Sequence, residues 1–192
     1  MKNLILIGAG EHARSCIDVI EQENKFRIIG LIDVVEKIGQ KVLGYNVVDC
    51  DENLEKYIGV DNFFLITIGQ IKSPQKRIEI FNKLKNFNAN IATIISPIAY
   101  VSKYANIGEG TIIMHHALVN TSAQIGRNCI VNSKALVEHD AVIEDHCHIS
   151  TGAIVNGATR VGVGSFIGSN STTNNSTAIA RESFVKAGGL VK

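Results

Sequence analysis

At 192 residues the chain can form one sizeable domain or two small ones, and its 19 Lys plus Arg against 18 Asp plus Glu leave almost no net charge. That balance excludes a partner held through a phosphate backbone, and no stretch approaches the ~20 apolar residues of a membrane span, so neither a nucleic acid nor a bilayer is expected. The short apolar start ends in glycines too soon for a signal peptide, and Cys16, Cys50, Cys129 and Cys147 follow no disulfide framework, which points to free thiols in the cytoplasm.

The apolar run Lys2–Ile7 closes on Gly8-Ala9-Gly10-Glu11-His12-Ala13, and apolar residues then recur at helical spacing as Cys16, Ile17, Val19 and Ile20. Strand, glycine turn and helix therefore open the chain. Phe26–Ile32 reads as a second strand that delivers Asp33 at its end, and Phe63–Ile68 as a third that closes on Gly69-Gln70. Ser73-Pro74 supplies a cap and first turn for a helix to about Asn86, with Ile78, Ile80, Phe81 and Leu84 as its apolar residues. Ile91–Ile95 is the last strand. Residues 1–94 thus form a small Rossmann-like α/β unit.

Gly8-x-Gly10-x-x-Ala13 satisfies a loose dinucleotide fingerprint, with Asp33 about the expected ~20 residues further on. Alone this suggests an NAD-dependent dehydrogenase. So small a unit lacks the second half that a dinucleotide spans, and a single nucleotide suits it better. Backbone N–H groups at the helix start can face a phosphate, and a strand-end carboxylate can accept from a base or ribose.

From Ile95 onward the sequence has a strict period of six. Every sixth residue to Val191 is Ile or Val except Thr173, and the residue four places after each is small, as in Ala99, Ala105, Thr111, Ala117 and Ala123. Neither a helix near 3.6 nor a flat strand near 2 has this period. It fits a parallel β-helix of hexapeptide repeats over residues 95–192, with branched residues filling the bore, small ones at crowded corners, and polar residues facing out.

Five of the six histidines fall between His115 and His148. His139 stands apart, because Glu138 precedes it and Asp140 follows, and a carboxylate beside an imidazole can fix the tautomer that a general base requires. Zinc on these histidines is disfavoured, since neighbours one residue apart on a strand point to opposite faces. No metal is expected.

The glycine turn, Asp33, the Val137-Glu138-His139-Asp140 rung and the hexapeptide coil together resemble the sugar acyltransferases of the left-handed β-helix superfamily. The nearest groups are the nucleotide-amino-sugar N-acetyltransferases and the sialic acid O-acetyltransferases. The resemblance covers essentially the whole chain. It implies a homotrimer that binds acetyl-CoA along the coil between neighbouring subunits and a nucleotide sugar at the N-terminal domain. His139 matches the family's general base and Asp140 its acidic partner. His148 matches a histidine near the acetyl-CoA thioester, and Gly157 a place where pantetheine passes close to backbone. Gly10, His12, Asp33, Gly69 and Gln70 match positions that surround the nucleotide sugar. Relatives usually continue beyond the coil with a Gly-x-Pro-Ala element near the adenine, which this sequence lacks before Lys192. Two further functions fit the same residues: O-acetylation of a sialic-acid-like sugar, and a non-catalytic nucleotide-binding scaffold.

Overall fold

A computed structural model describes residues 1–192, which divide into two compact units. One comprises Met1–Gly69 with Glu79–Ala92, the other Gln70–Ile78 with Thr93–Lys192. No helix is long and apolar enough to cross a membrane.

The first unit is built on a six-stranded sheet. Its strands are β1 (Lys2–Ile7), β2 (Phe26–Asp33), β3 (Lys41–Val42), β4 (Tyr45–Cys50), β5 (Asn62–Ile66) and β6 (Asn90–Ile91), in the order β3-β4-β2-β1-β5-β6. All pairs are parallel except the β3–β4 hairpin, whose turn residues Leu43 and Gly44 both have positive φ. This hairpin adds two strands that the apolar pattern did not announce. The chain reverses direction across the sheet at β1, so the carboxyl ends of β1, β2 and β5 share the crevice where such sheets bind ligands.

Helix α1 (Glu11–Glu23) buries Ala13, Cys16, Ile17, Val19 and Ile20 on one face. It stops at Asn24, whose left-handed backbone (φ 55°) lets its N–H return to the Ile20 carbonyl. Helix α2 (Gln75–Asn86) starts where the Ser73 hydroxyl accepts the Gln75 N–H at 3.2 Å, with Pro74 in the first turn. Ile80, Phe81 and Leu84 join Ile5, Ile7, Phe64 and Ile66 in the core of the first unit.

The second unit is a left-handed parallel β-helix of two-residue strands on three faces. The first face runs from Ile94–Ile95 to Phe184–Val185, the second from Tyr100–Val101 to Leu190–Val191, and the third from Asn106–Ile107 to Ala178–Ile179. Each residue pairs with the one 18 positions on, as in Ile112 with Ile130 and Leu118 with Leu136, so three hexapeptides make one coil. The bore holds the predicted series, from Ile113 and Val119 through Ile149 and Val155 to Ile167, all closed to solvent. Thr173, the one exception in that series, is equally buried. Its hydroxyl accepts the Asn156 N–H at 3.0 Å and lies 3.2 Å from that of Thr159, which donates to the Asn174 carbonyl.

From Gly110 to Gly188 each corner turns on a residue in the left-handed region, and these too recur every six positions. Gly110, His116, Ser122, Asn128, Lys134, Asp140 and His146 all have φ between 54° and 77°. The expectation that polar residues fill the outward positions holds in part on the third face, where Asn106, Gln124 and Arg160 are joined by Val142 and Ala178. The first face presents Ile112, Ile130, Phe166 and Phe184, and the second Tyr100, Leu118, Leu136, Ile154 and Leu190. Two faces therefore have apolar residues outside as well as inside.

Replacing Ile143, which is 1% exposed in the bore, by Ala removes methyl groups from a site that cannot collapse. Urea unfolding should register a loss of about 2–5 kcal/mol. A midpoint equal to the wild type's would mean the bore is not the stabilising core.

Candidate active site

In the first unit the loop after β1 and the end of β2 are tied together by Asp33. Its Oδ2 accepts the Ala9 N–H at 2.5 Å and the Lys37 ammonium at 2.9 Å, while Oδ1 accepts the Val34 N–H at 2.7 Å. Partial burial works to raise its pKa, but these N–H donors and Lys37 outweigh it and hold the carboxyl below the usual range. The carboxylate is therefore ionised and fixed at the rim of the crevice.

Gly8, at φ 110°, is the glycine this turn requires, because a Cβ there would lie 2.5 Å from Ile68. At Gly10 a Cβ would meet nothing within 4 Å. No side chain caps the start of α1 at Gly10, and an uncapped helix start favours an anion. His12 packs beside Gly69, whose Cβ position would lie 3.5 Å from that of His12. Thr67, absent from the sequence reading, supports the turn by donating to the Gly8 carbonyl at 2.6 Å.

Gln70 was grouped with Gly69 by the sequence but folds with the coil. It is 2% exposed. Its amide donates to the His146 carbonyl at 2.9 Å, and its own carbonyl lies 2.5 Å from His148 Nδ1. Arg77, also closed to solvent, donates to the backbone and side-chain oxygens of Asn128 at 3.0 and 2.6 Å. Neither clasp was visible in the periodicity, since both join residues more than fifty positions apart.

In the coil unit, His139 and Asp140 form the corner that follows Leu136–Val137. His139 Nδ1 lies 2.9 Å from Asp140 Oδ2, both side chains being about half exposed. A carboxylate only accepts, so the proton sits on Nδ1 and Nε2 presents a lone pair. The backbone N–H of His139 donates to Glu138 Oε2 at 3.2 Å, and that carboxylate is steadied by Asn120 Nδ2 at 2.7 Å. Gly157, one coil later, lies directly against the ring: a Cβ there would fall 2.8 Å from Cε1 and Nε2. Only hydrogen at that position leaves the imidazole where it is.

His148 stands on the first face, 6% exposed, with Asn132 Nδ2 3.1 Å from its Nε2 and with Phe166 edge-on to its ring at 5.2 Å. Phe166 in turn stacks on Phe184 at 5.1 Å, beside a hollow of about 170 Å3 that Ile71, Lys72 and Pro74 complete. Burial lowers the His148 pKa to about 4, against a favourable bond to the Gln70 carbonyl. His146 is lowered as well, first by burial, and Asn128 Nδ2 lies 2.9 Å from its Nδ1. His115 is engaged differently, by the Ser96 hydroxyl at 2.7 Å. A larger groove of about 490 Å3 lies on the third face, where Arg160 pairs with Glu144, but neither His139 nor His148 lines it.

Comparison with known proteins places this arrangement in context. The family model for the PglD N-terminal domain matches residues 3–84. The acetyltransferase domain of PglB from Neisseria gonorrhoeae is 25% identical with a TM-score of 0.92, over 100% of this chain and 92% of that one. The same domain in complex with acetyl coenzyme A gives 24% and 0.90, over 99% and 92%. PerB from Caulobacter crescentus, in complex with CoA and GDP-perosamine, is 25% identical with a TM-score of 0.91, over 100% and 89%. No curated protein matches in sequence.

The depressed pKa of His148 sets a pH dependence. In the unfolded chain the ring takes a proton near pH 6.5, and in the fold only near 4, so the unfolded state binds the extra proton first as pH falls. This share of stability is complete above about pH 6.5 and is lost on the way down to about 4, a total of about 3 kcal/mol. Urea midpoints at pH 7.5 and 4 should therefore differ less in His148→Gln than in the wild type. Equal acid losses in the two proteins would remove His148 as the cause.

Proposed function

We propose, from its place among the sugar acyltransferases of the left-handed β-helix superfamily, that this chain transfers acetyl from acetyl-CoA to the amine of a nucleotide-linked amino-deoxy sugar. The observation that carries the reading is the His139–Asp140 pair, an imidazole with its Nδ1 proton held by a carboxylate and its Nε2 lone pair presented at the surface. His139 takes the proton of the attacking amine while Asp140 balances the imidazolium that forms. The N–C bond forms, the C–S bond breaks, and the proton leaves with the thiol of coenzyme A. Positioning and proton transfer suffice, and no covalent enzyme intermediate is needed.

The crevice of the first unit suits the nucleotide. The open start of α1 at Gly10 favours phosphate, and Asp33 offers a fixed carboxylate to the base or ribose. On the coil, His148 and the Phe166–Phe184 stack offer a continuous apolar strip for the pantetheine arm. Gly157 keeps the His139 ring close to backbone at the point where acetyl-CoA is to pass. Both substrates and the four reduced thiols belong to the cytoplasm.

The outer surface of the second face, where Leu118, Leu136 and Ile154 are flanked by Tyr100 and Leu190 at 59% and 60% exposure, supports the reading of a homotrimer. In sedimentation velocity the wild type should run as a trimer and Leu136→Glu as smaller species. A monomeric wild type would remove the site between neighbouring coils.

CoA release on supplying acetyl-CoA with a nucleotide amino sugar, against a free nonulosonic acid, separates N- from O-acetylation. His139→Ala should lower turnover about 10²–10⁴-fold with assembly intact. A variant within about twofold of wild type takes His139 out of the chemistry.

A further inference from the structure

The amide of Asn132 is oriented by its own backbone. Its Oδ1 accepts the Ser133 N–H at 2.8 Å, which identifies the other end, 3.1 Å from His148 Nε2, as the NH2 group. An NH2 group only donates, so Nε2 carries a lone pair. At the far side of the ring the Gln70 carbonyl lies 2.5 Å from Nδ1 and only accepts, so Nδ1 carries the proton. Two independent backbone groups, the Ser133 N–H and the Gln70 C=O, thus select the same tautomer. The other tautomer would set two lone pairs face to face at Gln70 and turn the Asn132 amide away from Ser133.

This has a chemical consequence. An imidazole without a proton on Nε2 cannot donate to a carbonyl oxygen. Asn132 can, because one of its two amide hydrogens is engaged by His148 and the other makes no bond within the chain, and Asn132 is only half buried where His148 is closed off.

We infer that His148 is a positioning residue locked as the Nδ1–H imidazole, and that the hydrogen-bond donor this locus offers to the acetyl thioester is the side-chain amide of Asn132. The identity of the ligand rests on the acetyltransferase reading above, whereas the tautomer rests on the fold alone. The burial that lowers the His148 pKa keeps the ring neutral and is consistent with this role.

Long-range 1H–15N spectra of histidine-labelled protein test the first half. His148 should show a protonated Nδ1 and an unprotonated Nε2, and the Asn132→Ala variant should weaken that preference. A protonated Nε2 in the wild type overturns the inference. Steady-state kinetics test the second half. Asn132→Ala should lower kcat by about 10²-fold, the size expected for one donor to a developing oxyanion, with KM for acetyl-CoA changed by no more than about threefold. A kcat within about twofold of wild type overturns the assignment to Asn132. A chain that acetylates no sugar at all would sink the acetyltransferase reading, and the spectra would still decide the tautomer.

Discussion

The structure depends on one backbone constraint: a left-handed residue at every corner of the coil from Gly110 to Gly188. With it, the chain turns after each two-residue strand and returns in register 18 positions later, so successive coils align side chain over side chain. Several contacts of the site are products of that alignment. His139 rests over Gly157, and Asn128 meets His146, each one coil apart. Asp140 and His146 are themselves corner residues, in a conformation that costs a non-glycine side chain of order 1 kcal/mol or more. The ladder bonds of adjacent coils hold them there.

A second regularity concerns polar groups inside. The coil buries hydroxyls, thiols, an imidazole and a guanidinium, and meets most of them with carbonyl oxygens or amides. Arg77 ends on Asn128, Thr159 on the Asn174 carbonyl, and Gln70 on the carbonyl of His146. Burying a full charge without such partners would cost several kcal/mol. The histidines avoid that cost by staying neutral, which gives the same environment both a stable fold and rings of defined tautomer.

The period of six was legible because the bore admits only branched side chains and the corners only small ones, a constraint repeated sixteen times. The Rossmann-like elements were legible too, with β2 ending on Asp33 as the apolar run indicated. The hairpin at Leu43-Gly44 was not, since leucine is rarely chosen for a positive φ and so gave no turn signal. The apolar outer positions on two faces were missed for a different reason. A repeat read as inside against outside has no term for a surface that itself needs covering. Of the candidate site, the His139–Asp140 pairing could be read from adjacency alone. The placement of Gln70 and the role of Asn132 could not, because each depends on which residues the coil stacks and not on neighbours in sequence.

The four thiols are divided evenly, Cys16 and Cys50 in the first unit and Cys129 and Cys147 in the second, and all are buried. Cys129 and Cys147 sit one coil apart in the bore, each 3.2 Å from a carbonyl of the coil that follows. No reagent reaches them without the prism opening. The molecule thus carries its own stopwatch, in which the alkylation rate of each pair reports how often that half of the chain breathes.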